Sequence, residues 1–216
     1  FEFLKAENDD AIAHGAPHAG LIGVRVDTPE MHAVYDEIRT DITSDDVSIG
    51  QVVTGPGGPM VVDVPVTGST DIPVTGVTYH ALANEVPDGS HLVLSVTDDA
   101  GNTSGSYLVT DNPGVSSVVF TDALADALTQ YNVEVIDLEF DEDASLTITE
   151  DQIAALSDAT DTLIIKGGAD DSVTLAGGGA QAAGSVSIEG ETYNAYSFGA
   201  TTVLIDDDIT NVNGVI

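Results

Sequence analysis

Residues 77 to 110 read VTYHALANEVPDGSHLVLSVTDDAGNTSGSYLVT. Apolar, β-prone runs at 77–82, 91–97 and 106–110 alternate with turn residues at 87–90 and 98–102. Short strands with a turn about every eight to twelve residues are typical of a β-sandwich. This stretch therefore predicts an all-β fold, and the rest of the chain is interpreted outward from it.

The N-terminal side continues the same pattern with one interruption. Strands are predicted at 20–27 and 60–66, and a short helix from Pro29 to Arg39, where Thr28 can cap the first turn. Residues 19–112 are thus predicted as one sandwich domain. Residues 1–18 form a leader in which Phe1, Phe3 and Leu4 suit either a strand donated to a neighbouring molecule or an edge strand of the same domain.

A second, acidic β-rich module is predicted for residues 113–216, after the turn sequence at 111–114. Thr149 and Gln152 fit a capping box that opens a second short helix over Ile153 to Leu156. The glycine-rich segment from Gly177 to Gly184 is predicted as a loop, and no exact tandem repeat is visible. The strands of this module are predicted at 133–138, 145–149, 162–166, 172–175, 185–188, 193–198 and 202–205.

Two stretches resemble known bacterial surface proteins. The sequence DGSH at 88–91, followed by VTDDAGNTS at 96–104, resembles the end of the immunoglobulin-like repeats of giant secreted adhesins. Residues 130–211, with NVEVIDL at 132–138 and GADDSVTL at 168–175, resemble a module near the C-terminus of type I-secreted surface proteins. The resemblance implies an immunoglobulin-like sandwich, a location outside the cell or on its surface, and stabilisation by calcium.

The charge of the chain limits its partners. It carries 37 acidic residues against 4 basic ones, a formal net charge of −33. Such a surface repels nucleic acid and anionic lipid, and no apolar run reaches the roughly 18 residues of a membrane span. We therefore expect no nucleic acid and no membrane insertion. The acids serve either solubility and salt adaptation or the binding of divalent cations.

Calcium is the expected cofactor. It takes roughly six to eight oxygen ligands, which acidic turns can supply from carboxylates and backbone carbonyls. The clusters at predicted turns do not match the spacing of an EF-hand loop. They are Asp98, Asp99 and Asn102; Asp141 and Asp143; Asp158 and Asp161; Asp170 and Asp171; and Asp206, Asp207 and Asp208.

No catalytic signature is present in the sequence. There is no cysteine, no G-x-S-x-G elbow, no H-E-x-x-H motif and no P-loop. The leading interpretation is a non-enzymatic structural subunit of an extracellular fibre, biofilm matrix or surface layer, which self-associates by strand addition of Phe1 to Leu4 or by edge contacts. Alternatives are the ligand-binding terminal module of an adhesin and an accessory domain of a secreted enzyme.

Overall fold

The computed structural model describes residues 2–5, 21–27, 47–72, 77–87, 89–97, 101–110, 116–139, 141, 143–157, 161–188 and 190–216. These residues form three β-sheets with two short α-helices, so the prediction of an all-β fold is confirmed. The strands are β1 (Glu2–Lys5), β2 (Leu21–Asp27), β3 (Val47–Gly55), β4 (Gly58–Asp63), β5 (Val66–Ile72), β6 (Val77–Val86), β7 (His91–Thr97), β8 (Thr103–Val109), β9 (Ser116–Val119), β10 (Val133–Asp137), β11 (Ala144–Thr149), β12 (Thr162–Lys166), β13 (Ser172–Ala176), β14 (Gln181–Ile188), β15 (Glu191–Phe198), β16 (Thr201–Asp206) and β17 (Asn211–Asn213). The helices are α1 (Asp122–Leu128), a 3-10 helix (Thr129–Tyr131) and α2 (Glu150–Leu156).

The strands before residue 110 belong to two sheets, which meet at one apolar cluster. One is the antiparallel sheet β1-β2-β6-β5, and the other contains the antiparallel run β8-β7-β3-β4 at one end of its nine strands. The buried cluster contains Val86 of β6 and Ile49, Leu92, Leu94 and Leu108 of the nine-stranded sheet. The helix predicted from Pro29 to Arg39 lies outside the described residues.

The rest of the chain winds between two sheets. From β8 onward, four strands of the nine-stranded sheet are each followed by a strand of a four-stranded parallel sheet, in the pairs β8–β9, β10–β11, β12–β13 and β16–β17. Neighbouring strands of successive pairs run parallel in both sheets. This is the arrangement of a parallel β-solenoid, here with four coils.

The first two coils repeat at a nearly constant interval. Thr121 and Thr149, 28 residues apart, cap the N-termini of α1 and α2 with their side chains. Asn132 and Asp161, 29 residues apart, adopt left-handed backbone conformations, with φ of 43° and 50°, just before β10 and β12. The two short helices and the left-handed residues that come after them therefore occupy equivalent positions, although the sequence shows no exact repeat.

Stacked apolar side chains fill the interior of the solenoid, between the nine-stranded sheet and the four-stranded parallel sheet. Tyr107, Ile136, Ile165 and Ile205 lie opposite one another in four successive strands, and each is fully buried. Burial of such a side chain stabilises a fold by roughly 1.5–3 kcal/mol. Val52 and Val61, from β3 and β4, also pack against this core. The strands β3 and β4 thus help to cover the core that the coils enclose.

A hairpin interrupts the third coil. The chain leaves β13 through Gly177, Gly178 and Gly179, all with positive φ, and then forms β14 and β15 before it returns as β16. The prediction of a loop up to Gly184 is wrong for its second half, because residues 181–184 belong to β14 and pair with β15. The hairpin extends the nine-stranded sheet, and β14 is its last strand.

The strand β8 links the two parts of the chain. It pairs with β7 on one side and with β10 on the other, within one continuous sheet. The predicted boundary between residues 112 and 113 falls in 111–115, outside the described residues. At the other terminus, β1 pairs antiparallel with β2, with Phe3 opposite Val24 and Leu4 opposite Gly23, so it is an edge strand of its own chain here. In the described ranges, no helix combines the length and apolar character that crossing a membrane requires.

Candidate functional site

Three acidic turns stack at one corner of the solenoid. They join β10 to β11, β12 to β13 and β16 to β17, and we call them the acidic corner (residues 137–139, 141, 143, 167–171 and 206–210). Each turn is closed by a backbone hydrogen bond across four residues. These bonds run from the Asp141 amide to the Leu138 carbonyl (3.0 Å), from Asp171 to Gly168 (3.2 Å) and from Ile209 to Asp206 (3.1 Å).

Asp171 is the most enclosed carboxylate of the corner, with 2% of its surface exposed. One oxygen accepts a hydrogen bond from the Ala144 amide of the preceding coil (2.8 Å), and the other accepts one from the Gly168 amide (2.7 Å). A Cβ atom at Gly167 would lie 2.5 Å from the second oxygen, so a side chain there would force this carboxylate to shift. Burial raises the pKa of Asp171 to about 6, although the two amides lower it.

Two further buried carboxylates, each the last residue of its strand, also accept backbone amides in these turns. Asp137 accepts a hydrogen bond from the Glu139 amide (3.0 Å), and Asp206 accepts one from the Asp208 amide (3.1 Å). Burial and then the charge of Glu139 raise the pKa of Asp137 to about 6, while Lys166, its partner on β12, lowers it. Burial likewise raises the pKa of Asp206. Each turn thus holds a carboxyl that is costly to ionise.

The structure brings together three of the five predicted calcium clusters. Of the predicted ligands at the acidic corner, Asp141, Asp171 and Asp206 are buried, and Asp143, Asp170, Asp207 and Asp208 are exposed. Among the described residues, no three carboxylate or imidazole side chains converge closely enough to hold a metal ion. Both oxygens of Asp171 already accept amide hydrogens, whereas Asp143, Asp170, Asp207 and Asp208 expose their carboxylates to cations in solution.

The other predicted ligands lie elsewhere or are not described. Asn102 precedes β8 and Asp161 precedes β12, so both lie at the opposite ends of their strands from the acidic corner. Asp98, Asp99 and Asp158 are outside the described residues, as is Phe1 of the predicted partner-binding segment. Of the clusters at 98–102 and 158–161, the structure therefore describes only Asn102 and Asp161.

A partly buried polar pair beside the corner, His91 and Tyr107, was not predicted. The ring of His91 on β7 is hydrogen-bonded to the hydroxyl of Tyr107 on β8, and the two rings meet edge to face at 5.6 Å. Burial lowers the pKa of His91, while the negative charge of Asp141 raises it. Burial also raises the pKa of the Tyr107 hydroxyl. Sequence offers no signal for this contact, because each residue lies within an ordinary strand.

The outward face of the parallel sheet contrasts with the corner, because its paired side chains carry no charge. Neighbouring strands lie about 4.8 Å apart, so outward side chains at paired positions form rows across the sheet. The outward side chains are half-buried on the inner strands and exposed on the outer ones. One row contains Ser117, Ser145, Ser172 and Asn211, and the next contains Val119, Thr147, Thr174 and Asn213.

A small depression lies between α1 and α2. It has a volume of about 190 Å³ and is lined by Asp122, Ala125, Asp126, Asp151, Gln152 and Ala155. Pockets for small-molecule ligands usually measure about 300–1,000 Å³. One polar contact crosses the floor, from the Gln152 side-chain amide to Asp122 (3.0 Å). The depression is small for a substrate and is better explained as packing between two short helices.

No protein-family model, no curated protein and no solved structure matches the chain.

Proposed function

We propose that this protein is a non-enzymatic structural subunit, or a segment of one, in an extracellular fibre, biofilm matrix or surface layer. The single observation that carries the proposal is the filled interior of the coils. Tyr107, Ile136, Ile165 and Ile205 are each 0% exposed and belong to one apolar cluster that fills the described interior between the nine-stranded and the parallel sheet. A protein with a filled interior offers its outer surfaces and its strand edges for contacts with other molecules, and a structural subunit uses such surfaces.

The extracellular setting and the immunoglobulin-like identity of residues 19–112 belong to the same proposal. Both rest on the resemblance of residues 77–110 and 130–211 to secreted bacterial surface proteins. The packing of β6 against β3, β7 and β8 around a common apolar cluster supports a sandwich in this part of the chain. Secretion by a type I system is the route that the resemblance favours.

We also propose that calcium associates with the acidic corner and reduces repulsion there. Support comes from the net charge of −33 and from the stacking of three acidic turns. Because no three described carboxylates converge on one point, we expect several weak sites and not one tight site. The ion would bind the exposed carboxylates Asp143, Asp170, Asp207 and Asp208.

Unfolding temperature during a calcium titration tests this role. The double variant Asp170→Asn/Asp207→Asn should lose much of the calcium-induced rise in unfolding temperature. The control Asp126→Asn/Asp151→Asn removes two exposed charges from the helices and should keep the rise. Equal responses of the two variants would mean that calcium acts only by general screening.

Light scattering tests the proposed function itself. The full chain is measured in millimolar calcium, then in chelator, and then in sodium chloride of equal ionic strength. Particles many times heavier than the 22.1 kDa chain, formed with calcium, would support a self-assembling subunit. A compact monomer in all three solutions would refute it.

The uncharged outward face of the parallel sheet favours a second candidate, the ligand-binding module of an adhesin. Rows of hydroxyl and amide groups suit hydrogen bonding to a neutral polar surface such as a glycan. Retention on immobilised polysaccharides would test this function. The double variant Thr147→Lys/Thr174→Lys should lose retention, and Thr54→Lys, at an exposed position on β3, should keep it. Equal retention of both variants would show that this face does not bind the polysaccharide.

A further inference from the structure

The strand β14 is an open edge of unusual composition. Seven of its eight residues, from Gln181 to Ser187, are exposed, and the strand pairs only with β15. Residues 172–188 contain no charged residue, although 41 of the 216 residues in the chain are charged. Natural edge strands are usually protected from pairing by charges, prolines or bulges; β14 has no charge and no proline, and its one register shift lies between Ala182 and Gly184.

The other sheet edges in the described part of the chain are shorter or charged. The edges β9 and β17 have four and three residues. Charged residues are present in the other three edge strands: Glu2 and Lys5 in β1, Asp63 in β4 and Asp71 in β5. With eight residues, β14 is therefore the longest described edge, and it is uncharged. Between two copies that each carry a charge of −33, it is an edge that can approach its own copy without bringing acidic side chains together.

The direction of its free backbone groups follows from the hairpin. Ile188 and Glu191 lie opposite each other across a two-residue turn, and such turns close on a pair that exchanges both backbone hydrogen bonds. Bonding then alternates along the strand, because the register is regular from Gly184 to Ile188. Val186 directs its backbone groups toward β15, whereas Ser185 and Ser187 direct theirs outward.

We propose that the β14 strands of two copies pair antiparallel about a two-fold axis at Val186. Ser185 of each copy then lies opposite Ser187 of the other, so the outward amides and carbonyls bond in two reciprocal pairs. Val186, 42% exposed, meets its own copy in a pair without hydrogen bonds, and two nine-stranded sheets become continuous. This inference rests on the proposed self-assembly, and it identifies β14 as the surface through which two copies first dimerise.

A single-cysteine experiment tests the axis, because the native chain has no cysteine. The full chain with Val186→Cys is oxidised with copper–phenanthroline. Cα atoms in a non-hydrogen-bonded antiparallel pair lie about 4.5 Å apart, which a disulfide can bridge. We expect conversion from the 22.1 kDa monomer to a covalent dimer of twice that mass. The matched control is Val62→Cys, on the opposite edge strand and 45% exposed, which should stay monomeric.

A backbone variant separates strand pairing from simple proximity. Adding Ser187→Pro to Val186→Cys removes an outward amide without removing a bond to β15, and should abolish the cross-link. Adding Ser187→Ala keeps the amide and should keep the cross-link. Cross-linking that proceeds equally at positions 62 and 186, or that survives the proline, would overturn the inference.

The two proposals fail separately in these measurements. If Ser187→Pro alone still forms calcium-dependent particles, another surface assembles the protein, and the proposed function stands without the β14 interface. If the native chain is monomeric under all conditions and Val186→Cys does not cross-link, both proposals fail. Higher sodium chloride should strengthen dimerisation of the native chain, because it screens the repulsion between two acidic copies.

Discussion

A single buried carboxylate, that of Asp171, joins two coils at the acidic corner. Its oxygens accept the amides of Ala144 and Gly168, which lie on different coils. Asp171→Ala leaves both amides without this acceptor, and we expect a loss of about 2–4 kcal/mol in the free energy of unfolding. The control Asp170→Ala removes an exposed neighbour and should change stability by less than about 0.5 kcal/mol. Denaturant unfolding of the two variants measures the difference, and similar small losses would contradict this role.

Asp137 makes a pH-dependent contribution. Its pKa of about 6 lies above the usual 3.8, so between these values the folded protein binds more protons than the unfolded chain. Stability therefore falls as pH rises through this window. Asp137→Asn keeps an oxygen for the Glu139 amide and removes the charge, so we expect a gain of about 1–3 kcal/mol above pH 7. The two proteins should be equally stable near pH 4, and a gain that is the same at both pH values would contradict this.

At the scale of elements, the equivalent helix caps give a test of the repeat. Thr121 accepts the Leu124 amide (3.2 Å), and Thr149 accepts the Gln152 amide (3.3 Å). Removing such a cap costs about 1 kcal/mol. We expect Thr121→Ala and Thr149→Ala to lose similar stability, because each removes one capping hydroxyl, and the backbone amide at position 149 keeps its bond to the Gln152 side chain (3.0 Å). Thermal unfolding measures both, and a loss at only one of them would contradict the equivalence.

Elements that depend on local chemistry could be predicted from the sequence. The capping box at Thr149 is confirmed in both of its hydrogen bonds, and the predicted strands at 91–97 and 162–166 coincide with β7 and β12. The first half of β14 could not be predicted, because Ala182 and Gly184 have low β propensity. Pairing with β15 is what keeps this segment extended.

At the scale of the whole molecule, charge opposes compaction. A net charge of −33 concentrates like charges on folding, and salt screens them. We expect sodium chloride to raise the unfolding temperature, by ~2–4 °C for each kcal/mol gained. Calorimetry at pH 7 measures this rise. At pH 4, where many carboxylates are protonated, the rise should be smaller, and an equal rise at both pH values would contradict an electrostatic cause.

The arrangement of the candidate site is a property of the whole molecule and could not be predicted from local sequence. Asp141, Asp170 and Asp206 were each recognised in an acidic turn. Their common corner depends on how many residues each coil contains, and the hairpin β14–β15 makes the third coil longer than the second. The repeat is also not visible in the sequence, because equivalent positions such as Asn132 and Asp161 share a backbone conformation but not a residue type.

The nearly constant length of the first two coils has a consequence for how such a chain could change in evolution. Duplication of a gene segment encoding 28 or 29 residues would add one complete coil, with its cap, its left-handed residue and its acidic turn. Every buried row would stay aligned, while β3 and β4 at one end and the hairpin in the third coil would keep their surroundings. The molecule would lengthen by about 4.8 Å per duplication. Gene length in related organisms would then vary in whole coils.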